Sequence, residues 1–383
     1  MQEDAGNMKK QRTAVLILIV ALLLFISCPL AATPFPIPTE GPRYVFLFIG
    51  DGMGKAHVKA SQVDLEGGSV FSAFPIAGEI GTNNISGGTT DSAAAATALA
   101  TGYKTSNGKI NMSPSGLATY QNIAGLSKSA GRKVGIVSSV PLNHATPAAF
   151  YATSDSRADY YDIGLQMVQS GYEYFGGGGI LNPRGAGSAQ TDLRALAVSL
   201  GYSLETTLAG PTIAFAEALD GESSITYLVD REAGAQSLSD FVAAGIQVLD
   251  NPKGFFFMIE GGKIDWASHD NDSLRMLGEM RDFDAAIRVA LAFLQDHPDE
   301  TLVVVTADHE TGGLSLLEQP SGSAKSTISL LDRLSWTKTG HSAAKVPVYA
   351  QGVGQDLFLG SYENTGIFFR LKALLEASVA EAP

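Results

Sequence analysis

Short, uninterrupted apolar runs constrain this chain more than any other feature. They cover residues 44–50, 134–140, 225–229, 255–259, 302–306 and 346–350. Strands buried on both faces read this way, whereas half-exposed strands alternate, so the runs predict a largely parallel sheet covered by helices. Helical spacing lies between them. Residues 92–100 are alanine-rich, and 274–294 sets Leu277, Met280, Phe283, Ile287, Leu291 and Leu294 three or four apart on one buried face. The expectation is one α/β domain with insertions over residues 43–383, a central mostly parallel sheet flanked by helices. Residues 176–179 are all glycine and read as a loop, and 181–240 carry no informative pattern.

Composition narrows the function. A chain of 383 residues with 45% hydrophobic and 17% charged content can bury a large core. Its 42 glycines show no Gly-X-Y period, which excludes collagen. Lys+Arg 26 against Asp+Glu 39 leaves −13, a poor balance for gripping nucleic acid or an anionic membrane, and no nucleic-acid binding is expected. An anion handled here must meet local cations that reverse the field. The lone cysteine, Cys28, excludes an intramolecular disulfide and a Cys-rich zinc site. Histidines and carboxylates remain as possible metal ligands.

Residues 1–32 read as a signal peptide. Met8-Lys9-Lys10-Gln11-Arg12 is a basic start, 14–26 is an uncharged apolar run too short for a comfortable membrane span, and Leu30-Ala31-Ala32 offers a small-residue cleavage site. Negative charge before Met8 suits a signal badly and points to Met8 as the true start. Phe25-Ile26-Ser27-Cys28 loosely resembles a lipoprotein box, so lipidation of Cys28 and an uncleaved anchor stand as alternatives to simple cleavage. Each predicts export, to a periplasmic or extracellular location. Pro34, Pro36, Pro38 and Pro42 make 33–42 a stiff linker.

Polar chemistry collects where the predicted strands end. Asp51 follows the first run, Glu260 follows 255–259 with Asp265 and His269 behind it, and Asp308-His309 follows 302–306. Ligands of open α/β sheets bind beyond the carboxyl ends of strands. One such aspartate is an ordinary helix cap; acids and histidines after three strands resemble an oxygen/nitrogen metal site. Asp265 and His269 lie one helical turn apart and can chelate one ion. Asp308 and His309 are adjacent, so they share an ion only in a loop or serve neighbouring ions, which favours more than one metal. Ser92 sits at a predicted helix start behind Thr90-Asp91, residues suited to capping. A hydroxyl there lies in positive potential, and activation by metal suits it better than a histidine base. His57 and His297 read as ordinary surface or loop residues.

Together these residues resemble the alkaline phosphatase family. The likeness spans about Tyr44 to Phe369. It rests on Asp-Gly-Met-Gly at 51–54, Thr-Asp-Ser-Ala-Ala at 90–94, His-Ala-Thr-Pro-Ala at 144–148, Glu-Gly-x-x-Ile-Asp-x-x-x-His at 260–269, Thr-Ala-Asp-His at 306–309, and His341 ahead of Val-Pro-Val-Tyr. The resemblance implies a phosphomonoesterase working through a phosphoserine on Ser92. It further implies one zinc on Asp265, His269 and His341 and a second on Asp51, Asp308 and His309. A third metal, usually magnesium, would lie on Asp51, Glu260, Thr146 and His144. Arg157 falls where the family keeps its phosphate-gripping arginine, with Asp91 orienting it. His144 weakens the preference for magnesium and admits zinc or cobalt. Trp266 stands where some members carry a basic residue, so an aromatic wall replaces that contact. Substrates would be small-molecule phosphate monoesters, and homodimers are usual in the family, although no interface is legible here. A sulfatase would need Pro and Arg after its nucleophile, where Ser92 is followed by alanines. A phosphodiesterase or phosphonate hydrolase and a non-catalytic phosphate or metal binder are the weaker alternatives.

Overall fold

In the computed structural model the described residues are 36–66, 68–185, 190–204, 211–215, 224–318 and 329–377. The expected signal peptide, with Cys28, lies outside them. Nine strands form the main sheet: β1 (Tyr44–Gly50), β2 (Ile76–Gly81), β3 (Lys133–Ser138), β4 (Tyr174–Gly177), β5 (Thr212–Phe215), β6 (Phe255–Gly261), β7 (Thr301–Thr306), β8 (Val346–Gly352) and β9 (Gly360–Glu363). Their order is β9-β2-β8-β7-β1-β6-β3-β4-β5. Pairing is parallel from β7 through β1, β6, β3 and β4 to β5, and antiparallel where β8 meets β7 and β2. The sheet is thus mostly parallel. Each residue of β1, β6 and β7 is buried, as continuous apolar runs require.

Six helices matter to the site or the core: α1 (Lys55–Asp64), α2 (Ser92–Thr101), α3 (Leu238–Leu249), α4 (Lys263–His269), α5 (Ser273–Asp296) and α6 (Thr365–Ala377). Helix α5 buries Leu277, Met280, Phe283, Ile287 and Leu294 of the face its spacing predicts, while Leu291 on that face stays partly exposed. Helix α2 differs, because all ten of its residues are buried. Alanines suit that position, since they hold a helix without side-chain entropy and let neighbours approach from every side. It stops at Gly102, whose φ of +77° belongs to the left-handed region.

Two expectations need correction. Residues 225–229 form no strand. Ile225 is buried, but the backbone N–H of Leu228 donates to the Glu279 carboxylate and Leu228–Asp230 turns into a 3-10 helix. A side chain thus takes the bond a sheet neighbour would have made. Gly176 and Gly177 belong to β4 rather than a loop; a Cβ on Gly177 would lie 1.9 Å from the Ser138 carbonyl oxygen. The stretch 181–240 also contains β5 and a helix at Leu193–Ser199.

Candidate active site

Strand register explains why distant residues meet. Ile49 pairs with Glu260 on one side and Thr306 on the other, so Asp51, Glu260 and Asp308 emerge together at the carboxyl edge of three adjacent strands. Ser138 pairs with Glu260 in the next strand, and the chain beyond it leads to His144 and a short helical turn, Ala145–Ala148, carrying Thr146. Helix α4 follows β6 and carries Asp265 and His269 one turn apart.

Three groups of possible ligand atoms result, each within 4.8 Å of one another: Asp265, His269 and His341; Asp51, Asp308 and His309; and Asp51, His144 and Glu260. In the first, His269 Nε2 lies 3.1 Å from His341 Nε2 and 3.3 Å from Asp265 Oδ2. Both imidazoles turn Nδ1 to a backbone carbonyl, His269 to Thr339 and His341 to Thr90. Such a bond fixes the tautomer and leaves the Nε2 lone pair for a metal. In the second group, His309 Nε2 lies 3.2 Å from Asp308 Oδ2 and 3.4 Å from Asp51 Oδ1. Asp308 and His309 sit in a loop past β7 and share one cluster, the loop alternative of the two the sequence left open. In the third, Thr146 Oγ1 approaches Asp51 Oδ2 at 3.4 Å. The second group is fully buried, while the His269 side chain in the first is 40% exposed. The first group therefore faces solvent.

Asp91 caps α2 by accepting from Ala94 N at 3.0 Å, which fixes Ser92 in the first turn. Its other oxygen accepts from Gly108 N at 2.9 Å and from Arg157 Nη1 at 3.1 Å. Capping and orientation of Arg157 are thus compatible in one side chain. Ser92 Oγ lies 3.3 Å from His309 Nε2, beside the second group. Arg157 Nη2 reaches His144 Nε2 at 3.3 Å, and the His144 ring meets Trp266 edge to face at 6.0 Å.

The electrostatics are those of a cation site. Burial, reinforced by Asp308, Asp265 and Glu260, pushes Asp51 well above the usual carboxylate range. Burial likewise raises Glu260 to about 8 and Asp308 to about 7. Asp265 goes the other way: burial raises it, but the His269 hydrogen bond and three nearby imidazoles outweigh that. Burial lowers His309 and His144 to about 4, keeping both rings neutral. Asp51 Oδ1, Asp308 Oδ2, Glu260 Oε1 and His144 Nδ1 are buried without a hydrogen-bond partner. Orphaned acceptors at this density are costly unless a cation binds among them.

Sequence reasoning missed two residues of this network. Ser138 donates to Glu260 Oε2, and Thr311 donates to Asp265 Oδ1 while touching His309 Nδ1 at 3.3 Å. Their only signal was position, at a strand end and two residues past a candidate ligand. His57 is not the surface or loop residue its sequence context suggests: it is fully buried, with both ring nitrogens hydrogen-bonded.

Acid and imidazole clusters at a sheet's carboxyl edge, beside a serine on a helix N-terminus, define a metallohydrolase. The alkaline phosphatase family model matches residues 42–176 and 218–326. Alkaline phosphatase 4 of Bacillus subtilis is 29% identical over 408 aligned positions, covering 84% of this chain and 86% of its own. The structure of alkaline phosphatase from the Antarctic bacterium TAB5 superposes with a TM-score of 0.77 at 31% identity, covering 88% of this chain and 98% of that one. A TAB5 mutant with magnesium bound in its M3 site superposes at 0.78, with 31% identity and coverage of 88% and 99%. This chain belongs to the alkaline phosphatase family. It is a phosphatase that hydrolyses phosphate monoesters.

Proposed function

We propose that Ser92 is the nucleophile, Arg157 the phosphate clamp, and the three ligand groups the seats of two zincs and a third metal. Asp265, His269 and His341 would hold the first zinc, and Asp51, Asp308 and His309 the second. Asp51, Glu260, Thr146 and His144 would hold the third ion. The TAB5 variant with magnesium in its M3 site carries a glutamate in place of a histidine; this chain keeps His144, so magnesium remains the family expectation while the imidazole also suits zinc or cobalt. The observation that carries this reading is the set of buried, unpartnered carboxylate oxygens facing neutral imidazoles. Zinc in the first two groups would act as a Lewis acid on the oxygens entering and leaving phosphorus and lower the pKa of hydroxyl or water beside it.

The chain supplies the remainder. Helix α2 presents Ser92 Oγ in positive potential, with alanines at 93–96 leaving room for the phosphoryl group. Arg157, held by Asp91, offers parallel N–H donors to two non-bridging oxygens. As the Ser92 O–P bond forms, the bond from phosphorus to the ester oxygen breaks and the alcohol departs. Water then cleaves phosphoserine, restoring Ser92 and releasing phosphate. The open face at His269 suits entry of water and exit of varied alcohols.

The basic start at 8–12 and the apolar run at 14–26 support export to a periplasmic or extracellular site, with a lipid or uncleaved anchor as the only membrane contact. No helix among the described residues is long and apolar enough to cross a membrane. Self-association as a homodimer completes the reading. The test compares turnover of p-nitrophenyl phosphate and a bis-ester at alkaline pH by metal-loaded wild type, Ser92→Ala and chelated protein. Monoester turnover lost in the latter two supports the proposal. A preference for the bis-ester would replace it with a phosphodiesterase.

A further inference from the structure

His57 is the one fully buried histidine that the chemistry above does not use. It lies on α1, outside the three ligand groups, with none of its surface exposed. Its Nδ1 accepts from Gly54 N at 3.1 Å, and Nε2 lies 3.0 Å from Ser268 Oγ, which itself donates to the Ile264 carbonyl at 2.7 Å. An acceptor at Nδ1 requires the proton on Nε2, so the ring is neutral and donates to Ser268. Its ring meets that of Trp336 in an edge-to-face arrangement, centroids 5.8 Å apart.

Each of those three contacts ends on a segment that brings metal ligands. Gly54 closes the loop after β1 that carries Asp51. Ser268 lies between Asp265 and His269 on the last turn of α4. Trp336 lies five residues before His341 and presses on Gly312, where a Cβ would come 2.4 Å from the indole ring. The junction leaves no slack, because a Cβ on Gly54 would come 2.3 Å from Glu310 Cγ, and Glu310 also accepts from Ser342 beside His341.

We infer that His57 is a positioning residue for the metal centre, its neutral imidazole locking the Asp51 loop, α4 and the His341 segment into one rigid ligand frame. This rests on reading the clusters as metal sites. The role differs from core filling, because an apolar ring would satisfy packing against Trp336 yet leave Gly54 N without its acceptor and Ser268 without its donor. Groups hydrogen-bonded directly to metal ligands typically govern affinity by about 10–100-fold; His57, one bond further out, should act at the lower end of that range.

Zinc affinity of the metal-stripped protein, measured by titration calorimetry, tests it without reference to turnover. Melting of the same metal-free samples reports the fold. His57→Phe keeps the ring and should bind zinc about 10-fold more weakly than wild type. His57→Gln, which can still donate to Ser268, should recover most of that loss. Should His57→Phe fail to fold, Ser268→Ala cuts the same link from the other end and should weaken zinc in the same direction. A folded His57→Phe, or Ser268→Ala in its place, that melts lower but binds zinc as wild type does would overturn the inference and leave a packing role. Wild type that takes up no zinc would overturn the metal reading and this inference with it.

Discussion

Arg157 holds Asp91 through Nη1 and touches His144 through Nη2, which fixes the plane of its guanidinium. A lysine at 157 would keep the charge and lose the planar fork. Arg157→Lys should therefore lower kcat/KM for a monoester by about 10–100-fold, and steady-state kinetics at saturating zinc will measure it. His57 predicts a pH effect on the fold itself. Burial lowers its pKa to about 3, against an ordinary 6.5, although Asp265 pulls slightly upward. The unfolded chain thus binds a proton that the native ring refuses. His57 contributes its full stability above pH 6.5 and loses it as pH falls toward 3, at about 1.4 kcal/mol per pH unit. Urea unfolding of the metal-free protein across that window should show a shallower acid slope for His57→Phe than for wild type. Equal slopes would contradict a neutral His57.

At the scale of elements, α2 must run through the core to present Ser92, and its end is as constrained as its start. Gly102 combines φ of +77° with a missing Cβ that would lie 2.6 Å from Phe368 Cδ1 on α6. Gly102→Ala should cost about 1–3 kcal/mol, from left-handed strain and displacement of Phe368, read as a lower denaturation midpoint. Elements also show what the sequence could reveal. The central strands were legible because burial on both faces leaves apolar runs. The candidate ligands Asp51, Glu260, Asp308 and His309 were legible because each lies at or just past the end of its strand, whereas His144, Thr146 and His341 were reached only through the family resemblance. Strand β2, Ile-Ala-Gly-Glu-Ile-Gly, is only partly buried near the sheet edge, and β4 is half glycine, so neither left a run. The opposite error at 225–229 came from an apolar segment that leaves the sheet after Ile225, where Leu228 N turns to the Glu279 side chain. His57 was illegible because Lys55 and Lys59 flank it on a short helix. Its burial depends on Ser268 and Trp336, far along the chain.

For the whole molecule, a net charge of −13 must coexist with phosphate binding. The site itself gathers Asp51, Glu260, Asp265 and Asp308, with Arg157 balanced by Asp91. Three divalent cations would more than neutralise those four acids and reverse the local sign. Chelated protein should consequently lose measurable affinity for inorganic phosphate in calorimetry and melt at a lower temperature, with both properties restored by zinc and magnesium. Tight phosphate binding after exhaustive chelation would contradict this charge reversal. The central claim is that Ser92 takes the phosphoryl group. Its most direct measurement is an acid quench of metal-loaded protein during turnover of a monoester, followed by peptide mass spectrometry. The account predicts one phosphoryl group on Ser92 in wild type and none in Ser92→Ala. Turnover that proceeds with Ser92 unmodified, or with the group on another residue, would contradict it.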